Sequence, residues 1–210
     1  MFRQLREDIA CVKERDPAAR SFFEIYFLYP GLKAIRLHRL ANKFYNKKLY
    51  FLARWVSQRA SRRTGIEIHP AAQIGKRFFI DHGTGVVIGE TAIIGDDVTI
   101  YQGVTLGGTG KDVGKRHPTI GNNVMIGSGA KVLGPLNIGD NSRIAAGAVV
   151  LSDIPSNSTA VGVPARVVKR DGIRVEELDQ VHIPDPVAQE IARLETEITE
   201  LKKELRKGDK

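Results

Sequence analysis

Residues 120–144 read IGNNVMIGSGAKVLGPLNIGDNSRI, and within this stretch an aliphatic residue returns at every sixth position. These positions are Ile120, Ile126, Val132, Ile138 and Ile144. A helix would repeat its apolar positions about every 3.6 residues and a strand every two, so neither element explains the spacing. Glycine, asparagine and aspartate often follow the aliphatic residue, and they tolerate the positive φ of tight corners. The pattern therefore predicts short strands joined by tight corners.

The hexapeptides also repeat in groups of three. IGNN at 120–123 resembles IGDN at 138–141, and IGSGA at 126–130 resembles IAAGA at 144–148, in both cases 18 residues later. Self-similarity at a fixed period is the signature of a repeat architecture. Three hexapeptides per repeat predict a triangular parallel β-solenoid with the aliphatic side chains stacked inside it.

The aliphatic ladder extends outward from this stretch and is interrupted twice. Its positions are Ile68, Ile74, Ile80, Ile88, Ile94, Ile100, Leu106, Ile120, Ile126, Val132, Ile138, Ile144 and Val150. The first interruption adds two residues between Ile80 and Ile88, and the second adds eight between Leu106 and Ile120. Because a solenoid does not need such insertions for its packing, we expect them to carry function.

Residues 1–64 change to the spacing of helices and predict an N-terminal helical domain before the solenoid domain, residues 65–170. Asp16-Pro17 predicts a helix start, with an N-cap followed by proline at the first helical position. Pro30-Gly31 predicts a break before two further helices.

Residues 171–210 predict a linker and a C-terminal helix with a heptad seam. The seam positions are Val187, Ile191, Leu194, Ile198, Leu201 and Leu205. Isoleucine at a with leucine at d favours a two-stranded coiled coil, whereas a trimeric body would favour three strands. The alternative is a single helix that packs its apolar face on the body, and both options stay open.

Composition and charge exclude several classes of protein. Hydrophobic residues make up 42% and charged residues 27%, as in ordinary globular chains. The single cysteine, Cys11, excludes an intrachain disulfide and a cysteine-based zinc site. No apolar run approaches the roughly 20 residues of a membrane span, and the first residues do not form a signal peptide. We therefore expect a cytoplasmic protein that does not bind a membrane.

The net charge of +8 is concentrated at one end of the chain. Residues 1–65 carry 15 Lys and Arg against 5 Asp and Glu, whereas residues 171–210 carry 7 against 11. No nucleic-acid-binding motif accompanies the basic segment, so we expect no nucleic-acid partner. A solvated helical surface explains the charge, and it would also attract an anionic small molecule.

Each interruption of the ladder contains one histidine. His82 lies in the first and His117 in the second, whereas His38, His69 and His182 lie outside both and are interpreted as structural. Histidine can accept a proton near neutral pH, which suits a general base that removes a proton from a hydroxyl group. Counting hexapeptides places the two breaks at different corners of the triangle. We therefore predict that a site combining them spans two subunits.

Several motifs together resemble the serine O-acetyltransferase family. They are RDPAAR at 15–20, YPG at 29–31, GIEIHP at 65–70, DHG at 81–83, GET at 89–91, GVTLGGTGK at 103–111, RHP at 116–118 and GVPAR at 162–166. The resemblance covers about residues 1–170. It implies a mainly β fold, the left-handed parallel β-helix of hexapeptide-repeat acyltransferases, and a homotrimer. It also implies transfer of acetyl from acetyl-CoA to L-serine, the first step of cysteine biosynthesis, without an acyl-enzyme.

The resemblance assigns roles residue by residue. His82 matches the general base, and Glu67 matches the carboxylate that orients it. Asp16 and Asp81 match the carboxylates that meet the substrate ammonium. The groups that hold the substrate carboxylate are matched by Arg116 and His117, and we count His117 among the catalytic residues as well.

The coenzyme A groove and the partners are also implied by the resemblance. The matched groove residues are Gly108, Thr109, Ser128, Ala146, Arg166 and Lys169. Glu90 either neighbours the site or has a purely structural role. No metal ion is expected. L-cysteine is the expected feedback inhibitor. The early start of the chain argues for a trimer over a hexamer, and the absence of a C-terminal isoleucine argues against binding to O-acetylserine sulfhydrylase.

Three rival functions are weighed against this one. An acetyltransferase of a sugar or antibiotic hydroxyl would lack the helical Asp16 motif. A β-helix carbonic anhydrase would need a His-x-x-x-x-His pair, which neither His82 nor His117 forms. A scaffold without catalysis would leave both interruptions unexplained.

Overall fold

The computed structural model describes residues 2–110 and 113–170, together with residues 194 and 198. Its helices are α1 (Phe2–Arg15), α2 (Phe22–Leu28), α3 (Pro30–Asn46) and α4 (Tyr50–Thr64). Its strands are β1 (Glu67–Ile68), β2 (Gln73–Ile74), β3 (Phe79–Ile80), β4 (Val87–Ile88), β5 (Ile93–Ile94), β6 (Thr99–Ile100), β7 (Thr105–Gly107), β8 (Thr119–Ile120), β9 (Met125–Ile126), β10 (Lys131–Leu133), β11 (Asn137–Ile138), β12 (Arg143–Ile144), β13 (Val149–Val150), β14 (Ser158–Gly162) and β15 (Ala165–Arg170).

The strands form the three faces of a triangular solenoid. The first sheet has the order β1-β4-β7-β10-β13, the second β11-β8-β5-β2, and the third β15-β14-β12-β9-β6-β3. Pairing is parallel from β1 to β13, and each strand pairs with the strand three further along the chain. The 18-residue period is therefore one turn of the solenoid, which confirms the predicted architecture.

The register keeps the aliphatic ladder aligned across both interruptions. Ile80 pairs with Ile100 across the two-residue insertion, and Ile94 pairs with Ile120 across the eight-residue insertion. The ladder side chains are buried, except that Ile74 is half-buried. Burial of each such side chain contributes about 1.5–3 kcal/mol relative to exposure, so the ladder dominates the core energetics.

Polar side chains stabilise the corner between the second and third sheets. Asn123 and Asn141 adopt φ of 52° and 58°, a conformation that asparagine tolerates better than most residues. The Asn123 amide donates to Asn141 at 2.9 Å, and the Asn141 amide donates to Asn157 at 3.0 Å. The corner therefore carries a continuous amide ladder.

One predicted helix boundary is wrong. Asp16-Pro17 does not start a helix: the amide of Asp16 still donates to the Val12 carbonyl at 2.8 Å, and α1 ends beside it. Helix α2 begins after Ser21, because Ser21 and Glu24 form a reciprocal capping box. The capping box lies a few residues beyond the proline and supplies the partners that the Asp16 side chain was expected to provide.

The helices dock on the open end and the third face of the solenoid. The Ser57 hydroxyl of α4 donates to the Ile68 carbonyl at 2.8 Å, and Arg15 donates to Thr99 and Asp97 at 2.8 and 2.9 Å. Gly31 of α3 lies so close to the Ile80 carbonyl that a Cβ there would overlap it. These contacts fix α3 and the end of α1 beside the end of β3.

The far end of the solenoid carries a hairpin that the hexapeptide pattern did not predict. Strands β14 and β15 pair antiparallel along the edge of the third sheet. The predicted heptad helix lies outside the described residues, apart from Leu194 and Ile198, which are helical. In the part of the chain that is described, no helix is both long and apolar enough to cross a membrane.

Candidate active site

His82 lies at the corner where β3 ends and the chain turns toward β4. Its backbone adopts a φ of 55°, and its side chain is 76% exposed. The Nε2 atom lies 3.9 Å from Oδ1 of Asp81. The first interruption of the ladder therefore presents an imidazole at the surface, next to a carboxylate.

Asp16 brings a second carboxylate to the same corner. Its Oδ1 accepts the Ala18 amide at 2.8 Å, and its Oδ2 accepts the Tyr29 hydroxyl at 2.5 Å. Burial raises the pKa of Asp81, His82 opposes this rise, and the neighbouring Asp16 adds to it. The two carboxylates and His82 thus form an acidic cluster suited to an ammonium group.

Glu67 pairs with an arginine of helix α4. Its Oε1 pairs with Arg54 of α4 at 3.7 Å, and its side chain is 43% exposed. Among the contacts of the described residues there is no hydrogen bond between Glu67 and His82. The carboxylate therefore neutralises a guanidinium in the isolated chain.

His117 lies at another corner, in the loop between β7 and β8. Its side chain is buried, and Nδ1 lies 2.9 Å from the Thr91 hydroxyl and accepts the Thr91 amide at 3.2 Å. Burial lowers the pKa of His117, and the neighbouring Arg116 lowers it further. An Nδ1 atom that accepts a backbone N–H places the proton of the neutral ring on Nε2. His117 is therefore arranged as a neutral hydrogen-bond donor.

Charged side chains surround His117. Arg116 donates to Glu90, and this hydrogen bond lowers the pKa of Glu90. Lys115 donates to the Thr91 carbonyl at 2.8 Å and to the His117 carbonyl at 2.5 Å, while burial lowers its pKa. The guanidinium and the imidazole N–H suit a carboxylate ligand.

Glu90 and His69 lie beside this second cluster, although the sequence did not assign either of them to binding. The Tyr45 ring meets His69 edge-on at 6.0 Å between centroids. Glu90 affects the pKa of both: it adds to the rise that burial causes at Tyr45, and opposes the fall that burial causes at His69. Glu90 is a direct neighbour of the predicted binding residue Arg116, and His69 borders the cluster although the sequence assigned it a purely structural role.

The two clusters lie at opposite ends of the strands that form the first sheet. The His82 corner connects the third sheet to the first, and the His117 corner connects the first sheet to the second. Within the described ranges no hydrogen bond or ion pair joins the clusters. The structure therefore agrees with the prediction that the two histidines leave from different corners of one subunit.

The family model described as bacterial transferase hexapeptide (six repeats) matches residues 117–152. The serine acetyltransferase of Bacillus subtilis (strain 168) is 58% identical over 205 residues, which cover 97% of this chain and 94% of that protein. The serine acetyltransferase of Staphylococcus aureus (strain Mu50 / ATCC 700699) is 57% identical over 199 residues, 94% and 93% of the two chains. The chain belongs to the serine acetyltransferase family.

Solved serine acetyltransferase structures share the fold. The Brucella abortus strain S19 enzyme in complex with coenzyme A superposes with a TM-score of 0.79 at 46% identity, over 82% of this chain and 69% of that one. The Neisseria gonorrhoeae enzyme in complex with serine gives 0.77 at 43%, over 80% and 69%. A serine acetyltransferase in complex with cysteine gives 0.78 at 43%, over 80% and 70%. The fold is therefore the expected left-handed parallel β-helix, and the protein is an acyltransferase.

Two residues expected at the coenzyme A groove lie at the same corner as His82, in turns that stack on those of Thr84 and Gln102. Ser128 and Ala146 follow β9 and β12, as His82 follows β3. The stack is held by main-chain bonds, including Gly147 to Ser128 at 2.8 Å. Gly129 and Gly147 in these turns have open space where a Cβ would lie. The corner is therefore open at Ser128 and Ala146, and the exposed Gln102 lies between Ser128 and the turn that carries His82.

The other expected groove residues lie at two further places. Gly108 packs on Arg116 at the His117 corner, and Thr109 follows it as an exposed residue. Arg166 is exposed and Lys169 half-buried, both on β15. The structure thus places most of the predicted site residues at two corners of the solenoid, and Arg166 and Lys169 on its last strand.

Sequence reasoning missed two members of these clusters, Tyr29 and Thr91. Both lie in motifs that carry the family resemblance, YPG and GET, and these motifs were the sequence signal that could have identified them. Cys11 is buried, donates to the Arg77 carbonyl at 3.3 Å and has a pKa raised by burial, so its thiol is structural. Among the described residues, no group of three or more His, Cys, Asp or Glu side chains is arranged to hold a metal ion.

Proposed function

We propose that the protein transfers the acetyl group of acetyl-CoA to the hydroxyl of L-serine, giving O-acetyl-L-serine and coenzyme A. One observation carries this proposal: the two clusters have opposite electrostatic character. Asp16 and Asp81 offer negative charge beside His82, whereas Arg116 and His117 offer a cation and a neutral N–H donor. These are the complements of an ammonium and a carboxylate, the two ends of an amino acid.

His82 is the proposed general base. With the ammonium at Asp16 and Asp81, the serine hydroxyl lies next to the imidazole, which takes its proton as the oxygen attacks the thioester carbonyl. A C–O bond forms, the C–S bond breaks, and the protonated His82 returns the proton to the leaving thiolate. A general base of this kind contributes about 10²–10⁴-fold, and holding both substrates in line contributes further. No acyl-enzyme is needed.

Glu67 orients His82 in this proposal. Its ion pair with Arg54 is long and both side chains are half-exposed, so the pair contributes about 1 kcal/mol or less. Exchanging that pair for a hydrogen bond to the imidazolium formed in the reaction therefore costs little. A carboxylate in this position favours the charged form of the base.

The complete site is formed between two subunits of a homotrimer. A single zwitterionic substrate must touch both clusters at once, yet the clusters flank opposite ends of the first sheet. In a cyclic trimer, the His82 corner of one subunit can face the His117 corner of the next. The 76% exposure of His82 in the single chain fits a side chain that a partner covers.

The coenzyme A groove follows the turns at Ser128 and Ala146, on the corner that also carries His82. An extended thioester chain needs open surface, and Gly129 and Gly147 in these turns leave it free of side chains. Arg166 and Lys169 at the far end provide positive charge for phosphate groups. The homologous structure with bound coenzyme A supports a coenzyme site in this fold.

L-cysteine is the proposed inhibitor of the same site. It carries the same ammonium and carboxylate groups as serine, so Asp16, Asp81, Arg116 and His117 bind it in the same way. A homologous structure in complex with cysteine supports this interaction. Inhibition is therefore expected to be competitive with serine.

The proposal is tested by measuring thiol release from acetyl-CoA with the purified protein. The reaction contains L-serine, a sugar acceptor, or no acceptor. We expect release only with serine, and a loss of about 10²–10⁴-fold in the His82→Ala variant. Release with the sugar but not with serine would contradict the proposed substrate. No release with either acceptor would contradict the proposed acetyl transfer.

Lys48→Ala is the matched control for His82→Ala. Lys48 is an exposed residue between α3 and α4 with a φ of 61°, close to the 55° of His82. Both variants place alanine in a left-handed conformation, at a similar conformational cost. The control is therefore expected to keep serine-dependent transfer, and an equal loss in both variants would show that backbone strain explains the effect.

A further inference from the structure

We propose that Thr91 is a positioning residue, which fixes the ring of His117 and places its proton on Nε2. This inference rests on the proposed role of His117 in holding the substrate carboxylate. Thr91 follows β4, whereas His117 lies 26 residues later, in the long interruption of the ladder. The two residues meet because the solenoid stacks one turn on the next.

The Thr91 hydroxyl is used to its full hydrogen-bonding capacity. Its oxygen accepts the amide of Arg116 at 3.0 Å and the amide of His117 at 3.1 Å. A hydroxyl has two acceptor sites and one proton to donate, so the proton is left for His117 Nδ1 at 2.9 Å. One side chain thus holds both the main chain and the ring of the binding segment.

The main chain of Thr91 acts in the same direction. Its amide donates to His117 Nδ1 at 3.2 Å, and its carbonyl accepts from Lys115 at 2.8 Å. Nδ1 therefore faces two donors and can hold a proton only at the expense of both bonds. The neutral ring keeps its proton on Nε2, where it can donate to a carboxylate.

The ring of His117 packs directly against the main chain of Gly89. A Cβ at Gly89 would overlap Cδ2 and Nε2 of His117, whereas a Cβ at Gly108 would lie at an ordinary contact distance of 3.5 Å from Nε2. Gly89 therefore limits the movement of the ring, and Thr91 fixes which edge carries the proton.

Other charged groups near His117 must be separated from the effect of Thr91. Arg116, Lys115 and His69 lower the pKa of His117 and so disfavour the imidazolium, whereas Glu90 favours it. A substitution at Thr91 leaves all four in place. Thr91→Val replaces the hydroxyl by a methyl group of similar size, and Thr91→Ser keeps the hydroxyl.

The first measurement is an NMR titration of histidine ring nitrogens in the ¹⁵N-histidine-labelled protein, with His117 assigned from its loss in His117→Gln. In the wild type we expect the Nε2–H tautomer and a pKa below the ordinary histidine range. In Thr91→Val we expect a rise in this pKa and a mixture of tautomers, and in Thr91→Ser the wild-type signals. An unchanged His117 signal in Thr91→Val overturns the inference.

The second measurement is the steady-state kinetics of the same variants. We expect Thr91→Val to raise the KM for serine by about tenfold, as for loss of a hydrogen bond in a binding segment, with a smaller change in kcat. Thr91→Ser should restore the wild-type KM. A Thr91→Ser variant that behaves like Thr91→Val contradicts the role of the hydroxyl. Wild-type protein without serine-dependent transfer overturns the proposed function instead, and the NMR titration still tests the effect of Thr91 on His117.

Discussion

At Asp16 both carboxylate oxygens already accept hydrogen bonds before any substrate binds. Oδ1 is held by the Ala18 amide and Oδ2 by the Tyr29 hydroxyl, at 2.8 and 2.5 Å. Burial raises the pKa of Tyr29, and its hydrogen bond to Asp16 raises it further, so the phenol keeps its proton and remains a donor. Tyr29 thus preorganises a carboxylate of the proposed ammonium site.

Tyr29→Phe is expected to weaken serine binding. The variant removes one hydrogen bond to a charged group, so we expect the KM for serine to rise by about tenfold with a smaller change in kcat. Steady-state kinetics with serine as the varied substrate check this expectation. Tyr50→Phe, at an exposed position of α4, is the matched control and should leave the KM unchanged. An unchanged KM in Tyr29→Phe would show that Asp16 needs no such support.

Among individual residues, the sequence predicted those that interrupt the regular aliphatic ladder. His82 and His117 were found because they interrupt the ladder, and the structure places each in a polar cluster. Tyr29 and Thr91 act through hydrogen bonds to residues 13 and 25 or 26 positions away. Such contacts depend on how helices and turns stack, which residue spacing does not report.

Helix α3 and strand β3 meet at Gly31, directly before the residues of the acidic cluster. A side chain there would overlap the Ile80 carbonyl, and Ile80 is followed by Asp81 and His82. The close approach of these two elements therefore sets the distance between the Tyr29 turn and the His82 corner.

Gly31→Ala is expected to destabilise the protein and to lower its activity. The added methyl forces α3 away from β3 at a cost of about 1–3 kcal/mol, which exceeds the gain of up to about 1 kcal/mol from replacing glycine in a helix. Thermal unfolding and kcat/KM for serine measure the two effects. Lys43→Ala, on the exposed side of α3, should change neither. A Gly31→Ala variant as stable as the wild type would contradict the proposed docking.

Helix α3 also carries a pH-sensitive contact with the solenoid. Burial lowers the pKa of His38 from 6.5 to about 4, although the Ala72 carbonyl opposes this effect. The unfolded chain binds a proton below about pH 6.5, whereas the folded chain does so only near pH 4. Above about pH 6.5 His38 therefore does not lower the free energy of unfolding. As the pH falls from 6.5 toward 4, protonation of the unfolded chain lowers this free energy by about 3 kcal/mol in total.

His38→Gln removes this pH dependence. Urea unfolding of the wild type should show a free energy that falls between pH 7 and pH 4.5, and the variant should show a shallower fall. The comparison uses the slope with pH, so a lower overall stability of the variant does not affect it. Equal slopes would contradict the assignment of this dependence to His38.

Elements with a strict period were predictable from the sequence, and elements without one were not. The ladder predicted the solenoid and its register because each Ile or Val must point inward for the turns to stack. The β14–β15 hairpin was missed because it lies outside the six-residue period. The start of α2 was misplaced because a capping box at Ser21 defines it, not Asp16-Pro17.

For the molecule as a whole, the sequence predicted the fold and the separation of the two histidines. The triangular solenoid and the separation of the histidines follow from counting along the chain, because each hexapeptide is one face, whereas the left hand was implied by the family resemblance. The pairing of the Glu67 side chain could not be predicted by counting, because it depends on Arg54, a residue of helix α4. The arrangement of the subunits stays a prediction, and the whole site depends on it.

In the proposed trimer, each active site combines His82 of one subunit with His117 of the next. The most direct measurement is the activity of mixed trimers formed from inactive His82→Ala and inactive His117→Ala chains, with two affinity tags to verify mixing. In a cyclic trimer each mixed assembly contains one intact site, so random equimolar mixing should restore about one quarter of the wild-type activity. No recovery in verified mixed trimers would show that each subunit builds its site alone and would contradict the account.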